Sequence, residues 1–274
     1  MKGVKLMLKV LQWVAPAVAV DKMYYFLSNP TVHKLRASEE EVLATATKSR
    51  TQFDGFELQK YEWGTGNSKK ALLIHGWEGQ AGNFAALIDT LLQKQYHIIA
   101  YDAPAHGKSS KGTTSMFQFG EFMALAVEQY EPKLVISHSF GSVTTAVALS
   151  ENNVLPIEHW VMITSPYTFR KRVQYVAEIL GVSDKIVNRL IARIEGETKQ
   201  SIDELNMGTY CANLHQVQDV TLVHSESDRV LPIENSRKIK QAFGRGRLIE
   251  LQDLGHYSIL WSEELQAIIK NNVN

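Results

Sequence analysis

The stretch Leu134–Leu149, "LVISHSFGSVTTAVAL", decides how this chain is read. A short apolar run, "LVIS", is broken by Ser137, His138 and Ser139, and a helical pattern resumes at Gly141. Strand, tight turn and helix in that order push the turn residue up at the C-terminal end of the strand, with its hydroxyl exposed and its backbone strained. Strand and helix crowd together there, so small residues are required two before and two after the serine. Ser137 and Gly141 meet that need, although glycine is the usual residue at both places. A serine capping the N-terminus of an ordinary helix would leave the same residues, so the surroundings have to decide.

Working outward, strand and helix signals alternate. "FELQKYEW" (56–63) alternates like a surface strand, and "KALLIHGW" (70–77) is a continuous apolar run like a buried one. Helical patterns at 82–94, 116–130, 141–150, 234–243 and 262–270 are interleaved with the strands "YHIIAYD", "KLVISH", "HWVMITS", "VTLVHS" and "RLIEL". This alternation predicts an α/β fold, a doubly wound and mostly parallel sheet covered on both faces. Residues 167–212 carry no strand signal. Phe169, Val173, Val176 and Leu180 share one helical face and Val187, Leu190, Ile191 and Ile194 another, so two or three helices are expected as an insertion. Residues 1–54 read as an N-terminal helical lead-in, with a capping box at Ser38 and Glu41, and 55–274 as one domain.

A serine hydroxyl is a weak nucleophile at neutral pH and needs a base held by a third group. For this arrangement the order along the chain is serine, acid, histidine. "HSESDRVLP" places Asp228 just beyond the strand "VTLV", and "LIELQDLGHYSIL" places His256 just beyond the last strand. Glu226 and Asp253 are the alternative acids. Acyl transfer also needs donors for the oxyanion. The backbone N–H of Phe140, after the serine, is one candidate, and that of Trp77, after His75-Gly76, is the other.

Residues 56–270 resemble the α/β-hydrolase superfamily. His75-Gly76-Trp77 is similar to its oxyanion motif, Ser137-His138-Ser139-Phe140-Gly141 to its nucleophile elbow, and Asp228 and His256 fall where its acid and base belong. "YDAPAHGKSS" (101–110) resembles the loop that braces the active-site floor, with Ala105 where glycine is more usual, so Asp102, His106 and Ser109 are assigned to structure. The resemblance implies that the insertion at about 167–212 is a helical lid. It further implies ester, thioester or amide hydrolysis with no metal or organic cofactor; serine at the elbow argues against dehalogenase and epoxide hydrolase chemistry.

The substrate expected from this reading is a small or medium apolar ester, taken by a carboxylesterase through an acyl-enzyme. Phe84, Phe117, Tyr167 and Phe169, with Trp77 and Phe140, are candidates for an apolar acyl pocket, and the same aromatics would suit a core. Two alternatives stand beside it: a membrane-associated lipid or acyl-thioester hydrolase, and a non-catalytic binder that keeps the pocket.

Charge excludes little else. Twenty-nine basic residues balance twenty-nine acidic ones, which gives no pull towards nucleic acid. The single Cys211 allows no internal disulfide and permits a reducing compartment. The location expected is cytoplasmic, peripheral to the membrane if residues 1–20 lie on its surface. His33, His97, His159, His215 and His224 lack metal-type spacing and are read as structural or solvated. "MKGVKLMLKVLQWVAPAVAV" (1–20) puts Lys2, Lys5, Lys9 and Gln12 in one narrow helical stripe, with Val4, Leu8, Leu11 and Val14 among the rest. That suits a helix lying on a membrane surface or one packed on the protein's own body. If residues 1–19 are a secretory signal, the protein is exported. The apolar part after Lys9 is too short to span a bilayer.

Overall fold

The computed structural model describes residues 2–31, 34–151 and 156–273, without the side chain of Lys2; His33 lies outside them. Eight strands form one sheet in the order β1-β2-β4-β3-β5-β6-β7-β8. β2 (Phe56–Trp63) runs antiparallel to both β1 (Thr47–Phe53) and β4 (Tyr96–Tyr101). The remaining pairings are parallel and join β3 (Lys69–Ile74), β4, β5 (Leu134–His138), β6 (Ile157–Ile163), β7 (Val217–Ser225) and β8 (Arg247–Leu251).

The inner strands are largely buried and mostly apolar because both faces of the sheet are covered. Their side chains alternate between two cores. Leu72, Ile74, Val135, Trp160, Met162 and Leu222 point into one, beneath α5 (Met116–Tyr130) and α6 (Phe140–Glu151). Leu73, Ile98, Leu134, Ile136, Val161 and Val223 point into the other, beneath α4 (Ala85–Gln93) and α11 (Glu263–Asn272). This period of two orients every strand end.

The lead-in departs from expectation in three ways. After α1 (Lys2–Val14), α2 (Pro16–Ser28) and α3 (Ala37–Ala44), residues 47–53 form the edge strand β1. Their polar sequence hides the strand because this edge strand has no buried residue along its length. β2 is consequently interior and largely buried. The start of α3 is secured by Glu39, whose carboxylate accepts from the Arg36 N–H at 2.7 Å, and Ser38 lies inside the helix.

The strand-free segment holds three helices between β6 and β7, namely α7 (Phe169–Leu180), α8 (Asp184–Thr198) and α9 (Met207–Cys211). Leu8, Ala19, Val20 and Met23 of the first two helices are buried in the same cluster as Val173, Leu180 and Leu190 of this insertion. The N-terminal helices and the insertion thus pack together in one buried cluster.

The start of α6 lies very close to the end of β3. A Cβ on Gly141 would come within 2.4 Å of the Ile74 carbonyl oxygen and 2.5 Å of that of His75. Main chain on both sides leaves nothing soft to move. Gly141→Ala should therefore lower the urea unfolding midpoint by an amount equivalent to about 1–3 kcal/mol or more.

Candidate active site

Ligand crevices in open α/β sheets lie beyond the carboxyl ends of the strands, and the predicted residues gather there. Ser139 follows β5 directly and has φ +52°, a left-handed conformation unusual for serine. The turn is pinned because the Ser139 N–H donates to the Ile163 carbonyl of β6 at 2.8 Å and its own carbonyl accepts from Ser142 at 2.9 Å. Ser139 remains partly exposed, whereas both flanking residues are buried.

Serine in place of glycine at position 137 is accommodated by a polar network. The Trp160 indole N–H donates to Ser137 Oγ at 2.8 Å, and Ser137 Oγ lies 2.9 Å from Ser142 Oγ, all of them buried. The hydroxyl thus satisfies the tryptophan beneath the turn.

From Ser139 a chain of hydrogen bonds leads inward. Its hydroxyl donates to His256 Nε2 at 3.0 Å, and His256 Nδ1–H donates to Asp228 Oδ2 at 2.8 Å. The other carboxylate oxygen, Oδ1, accepts from the N–H groups of Val230 at 2.7 Å and Leu231 at 3.0 Å. His224, read from sequence as structural or solvated, lies under this aspartate. Its Nε2 is 3.0 Å from the Leu231 carbonyl and 3.4 Å from Asp228 Oδ2, and its Nδ1 is 2.7 Å from Ser236 Oγ. With the serine hydroxyl donating to Nδ1, the proton sits on Nε2 and faces both oxygens. Burial raises the Asp228 carboxyl, but hydrogen bonds from His224 and His256 outweigh it and hold the group well below the usual carboxylate range. Asp228 is the acid in contact with His256, not Glu226 or Asp253; Asp253 lies in the left-handed region at φ +59° and donates its N–H to Ser227 Oγ.

His138 closes the turn from the other side, its Nε2 lying 3.0 Å from the His256 carbonyl oxygen. Its pKa is pushed far down, first by burial and then by the neighbouring His256. Trp77 and Phe140 rings meet edge to face at 5.3 Å. Neither backbone N–H finds an acceptor among the described residues, and Phe140 is the first residue of α6. Below them the residues assigned to structure brace the floor. Asp102 accepts from the N–H groups of Ala81 at 2.8 Å and Lys108 at 2.7 Å, and its main-chain carbonyl accepts from Ser109 Oγ. His106 Nδ1 is 2.8 Å from the Pro104 carbonyl. His75 donates from Nδ1 to the Gly76 carbonyl at 2.7 Å and accepts at Nε2 from the Ala103 N–H at 3.0 Å.

A pocket of about 390 Å³ opens beside Ser139 and His256, within the range of small-molecule sites. Of the four predicted wall residues, Tyr167 and Phe169 line it and two do not. Phe84 is fully buried in the opposite core, because the chain turns under the sheet straight after Trp77. Phe117, near the start of α5, packs on the first core cluster away from the pocket. Sequence reading missed Arg172 and Tyr175 of α7, together with Glu78, Val230 and Tyr257. Spacing carried a signal for α7: Phe169, Arg172 and Tyr175 recur every three residues, beside the apolar stripe that faces the core. Arg172 makes no hydrogen bond or close ion pair among the described residues; burial pulls its pKa down, with Glu78 acting against that. Among the described residues no group of three or more histidine, cysteine, aspartate or glutamate side chains is arranged to hold a metal ion.

The family described by the alpha/beta hydrolase fold matches residues 72–191. A dihydrolipoyllysine-residue acetyltransferase component of the acetoin cleaving system of Cupriavidus necator is 26% identical over 86% of this chain and 71% of its own. An esterase of Pyrococcus furiosus superposes with a TM-score of 0.65 at 17% identity, over 89% of this chain and 96% of that one. A bacterial membrane phospholipase A described as a virulence factor superposes at 0.63 with 16% identity, over 97% and 96%. At these identities the structural likeness concerns the fold.

Two outcomes follow from the polar groups. Ser137→Ala strands the Trp160 N–H and should lower stability by about 1–3 kcal/mol in urea denaturation, with part regained when Trp160→Phe is added. Because the folded Asp228 carboxyl is depressed, the unfolded chain takes up that proton first as pH falls. Its stabilisation is present above the unfolded value of about 4 and is lost on descent through the folded value. Stability measured below pH 4 should decline more steeply for the wild type than for Asp228→Asn.

Proposed function

Since the chain belongs to the alpha/beta hydrolase superfamily, we propose that it is a serine hydrolase, a carboxylesterase cleaving small or medium apolar esters. One observation carries this: a partly exposed serine in a left-handed turn, hydrogen-bonded to a histidine that is itself bonded to a buried, ionised aspartate.

In this reading Ser139 Oγ attacks the carbonyl carbon of the ester while His256 Nε2 takes its proton. Asp228 keeps the imidazole in the tautomer that accepts at Nε2 and stabilises the imidazolium that results. The oxyanion is received by the N–H groups of Trp77 and Phe140, each worth about 3 kcal/mol of transition-state stabilisation in comparable sites. His256 then protonates the leaving alkoxide, which departs as the alcohol. Water, deprotonated by the same imidazole, attacks the acyl-enzyme, and Ser139 leaves with its proton restored. The Trp77, Phe140, Val143, Tyr167, Phe169 and Val230 side chains supply the apolar walls for the acyl or alcohol part, and the inserted helices serve as the lid. The relative from Cupriavidus necator is named for acetyl transfer; an acyl-enzyme captured by an acceptor other than water would carry out that chemistry through the same steps.

A fluorophosphonate probe should label the wild type at Ser139 and leave Ser139→Ala unlabelled; an unlabelled wild type would mean a pocket that binds without turnover. On p-nitrophenyl esters of increasing chain length, with an anilide as the amide control, kcat/KM should be greatest for short to medium acyl chains. Asp228→Asn should lower kcat about ten-thousandfold.

A further inference from the structure

Helix α1 has two apolar faces, and the body of the protein covers one. Leu8 is fully buried and Val4 and Leu11 pack beside it, on the cluster that contains Val173, Val176 and Leu180 of α7. On the other side Leu6, Val10, Trp13 and Val14 are 66%, 55%, 80% and 73% exposed, and Met7 is exposed next to them. At 3.6 residues per turn these five fall in one continuous stripe, and Lys5 and Lys9, both exposed, run along its Trp13 edge. Single exposed apolar side chains are ordinary; a contiguous patch bordered by charge marks a surface that something else covers. The helix cannot roll to hide it. Gln12 Oε1 accepts from the Ser183 N–H at 3.0 Å, and turning the stripe inward would expose Leu8.

We propose that this stripe docks the protein on an anionic lipid bilayer, with α1 lying in the plane of the interface. Leu6, Val10 and Val14 enter the boundary between headgroups and acyl chains, where the indole of Trp13 finds both an apolar and a polar environment. Lys5 and Lys9 meet the anionic headgroups. With the chain as a whole formally neutral, the attraction is local to this helix. Thirteen residues suffice to lie on a bilayer and not to cross it, and no helix among the described residues is long and apolar enough to do so. A lipid surface suits the stripe better than a second copy, since antiparallel pairing of two such helices would set their lysines along the same edge, like against like. The docked helix packs against α7, which also supplies Phe169, Arg172 and Tyr175 to the pocket wall, so binding holds that wall close to the bilayer. Docking does not depend on the proposed serine chemistry.

The test is co-sedimentation of the full chain with vesicles of phosphatidylcholine, alone or mixed with phosphatidylglycerol. Binding is expected to the mixed vesicles, to weaken on omission of phosphatidylglycerol, and to be lost in about 1 M salt. Lys5→Gln and Lys9→Gln should each reduce partitioning about fivefold. Leu6→Ser combined with Trp13→Ser should abolish it, with an unchanged circular dichroism spectrum and unchanged hydrolysis of a soluble ester. The proposal is overturned if the wild type sediments with neither vesicle, or if the doubly serine-substituted protein sediments as well as the wild type. A dimer in solution that the same two substitutions split would also overturn it, by showing that a second copy covers the stripe.

Discussion

The close approach of α6 to β3 governs this molecule. Gly141 sits against the main-chain carbonyls of Ile74 and His75, so the helix begins almost in contact with the neighbouring strand. The chain reaches that position from β5 by one left-handed residue, Ser139, at φ +52°. The strain is small beside the hydrogen bond to Ile163 and the packing of α6 on the sheet that oppose it. Since Gly76 faces Ser139 Cβ at what would be 3.0 Å from a Cβ of its own, the same contact brings the His75-Gly76-Trp77 loop alongside the turn. A hydroxyl, two open N–H groups and a pocket thus converge as a result of one packing constraint.

The acid side of the site is built differently. Asp228 is held by the loop's own N–H groups through one oxygen and by two histidines through the other. A buried carboxylate is costly unless its lone pairs are occupied, and here they are. His224 reaches it from within β7, four residues earlier in the chain, and is anchored in turn by Ser236 and the Leu231 carbonyl. His256 arrives from the loop after β8. The aspartate therefore links two neighbouring strand ends and orients the imidazole that faces Ser139.

Above this floor the walls come from remote parts of the chain. α7 and its companions lie between β6 and β7, and the N-terminal helices fold over onto them. α7 thereby supplies part of the pocket wall on one side and packs on the other against α1, which carries the unburied apolar stripe.

Much of this was legible in residue order. Alternating apolar runs and helical periods identified the parallel core, because a strand buried on both faces is mostly apolar and holds polar residues only where they find partners. Serine between small neighbours marked the turn, and the order of Ser139, Asp228 and His256 along the chain matched their meeting in space. Polar β1 resisted the same reading, as an edge strand shares its composition with a solvated helix. Phe84 and Phe117 read as pocket residues since an aromatic looks the same in a core as in a wall; the turn of the chain after Trp77 sends Phe84 into one core, and the packing of α5 sets Phe117 on the other. His224 was passed over because a histidine inside a strand carries no mark of what lies opposite. Local pattern and chemistry are properties of neighbouring residues, and those the sequence determined by itself: the elements, the elbow and the candidate relay. Which side chains share a wall, which histidine supports the acid, and which face of α1 stays uncovered were decided by tertiary structure, because each depends on residues brought together from distant parts of the chain.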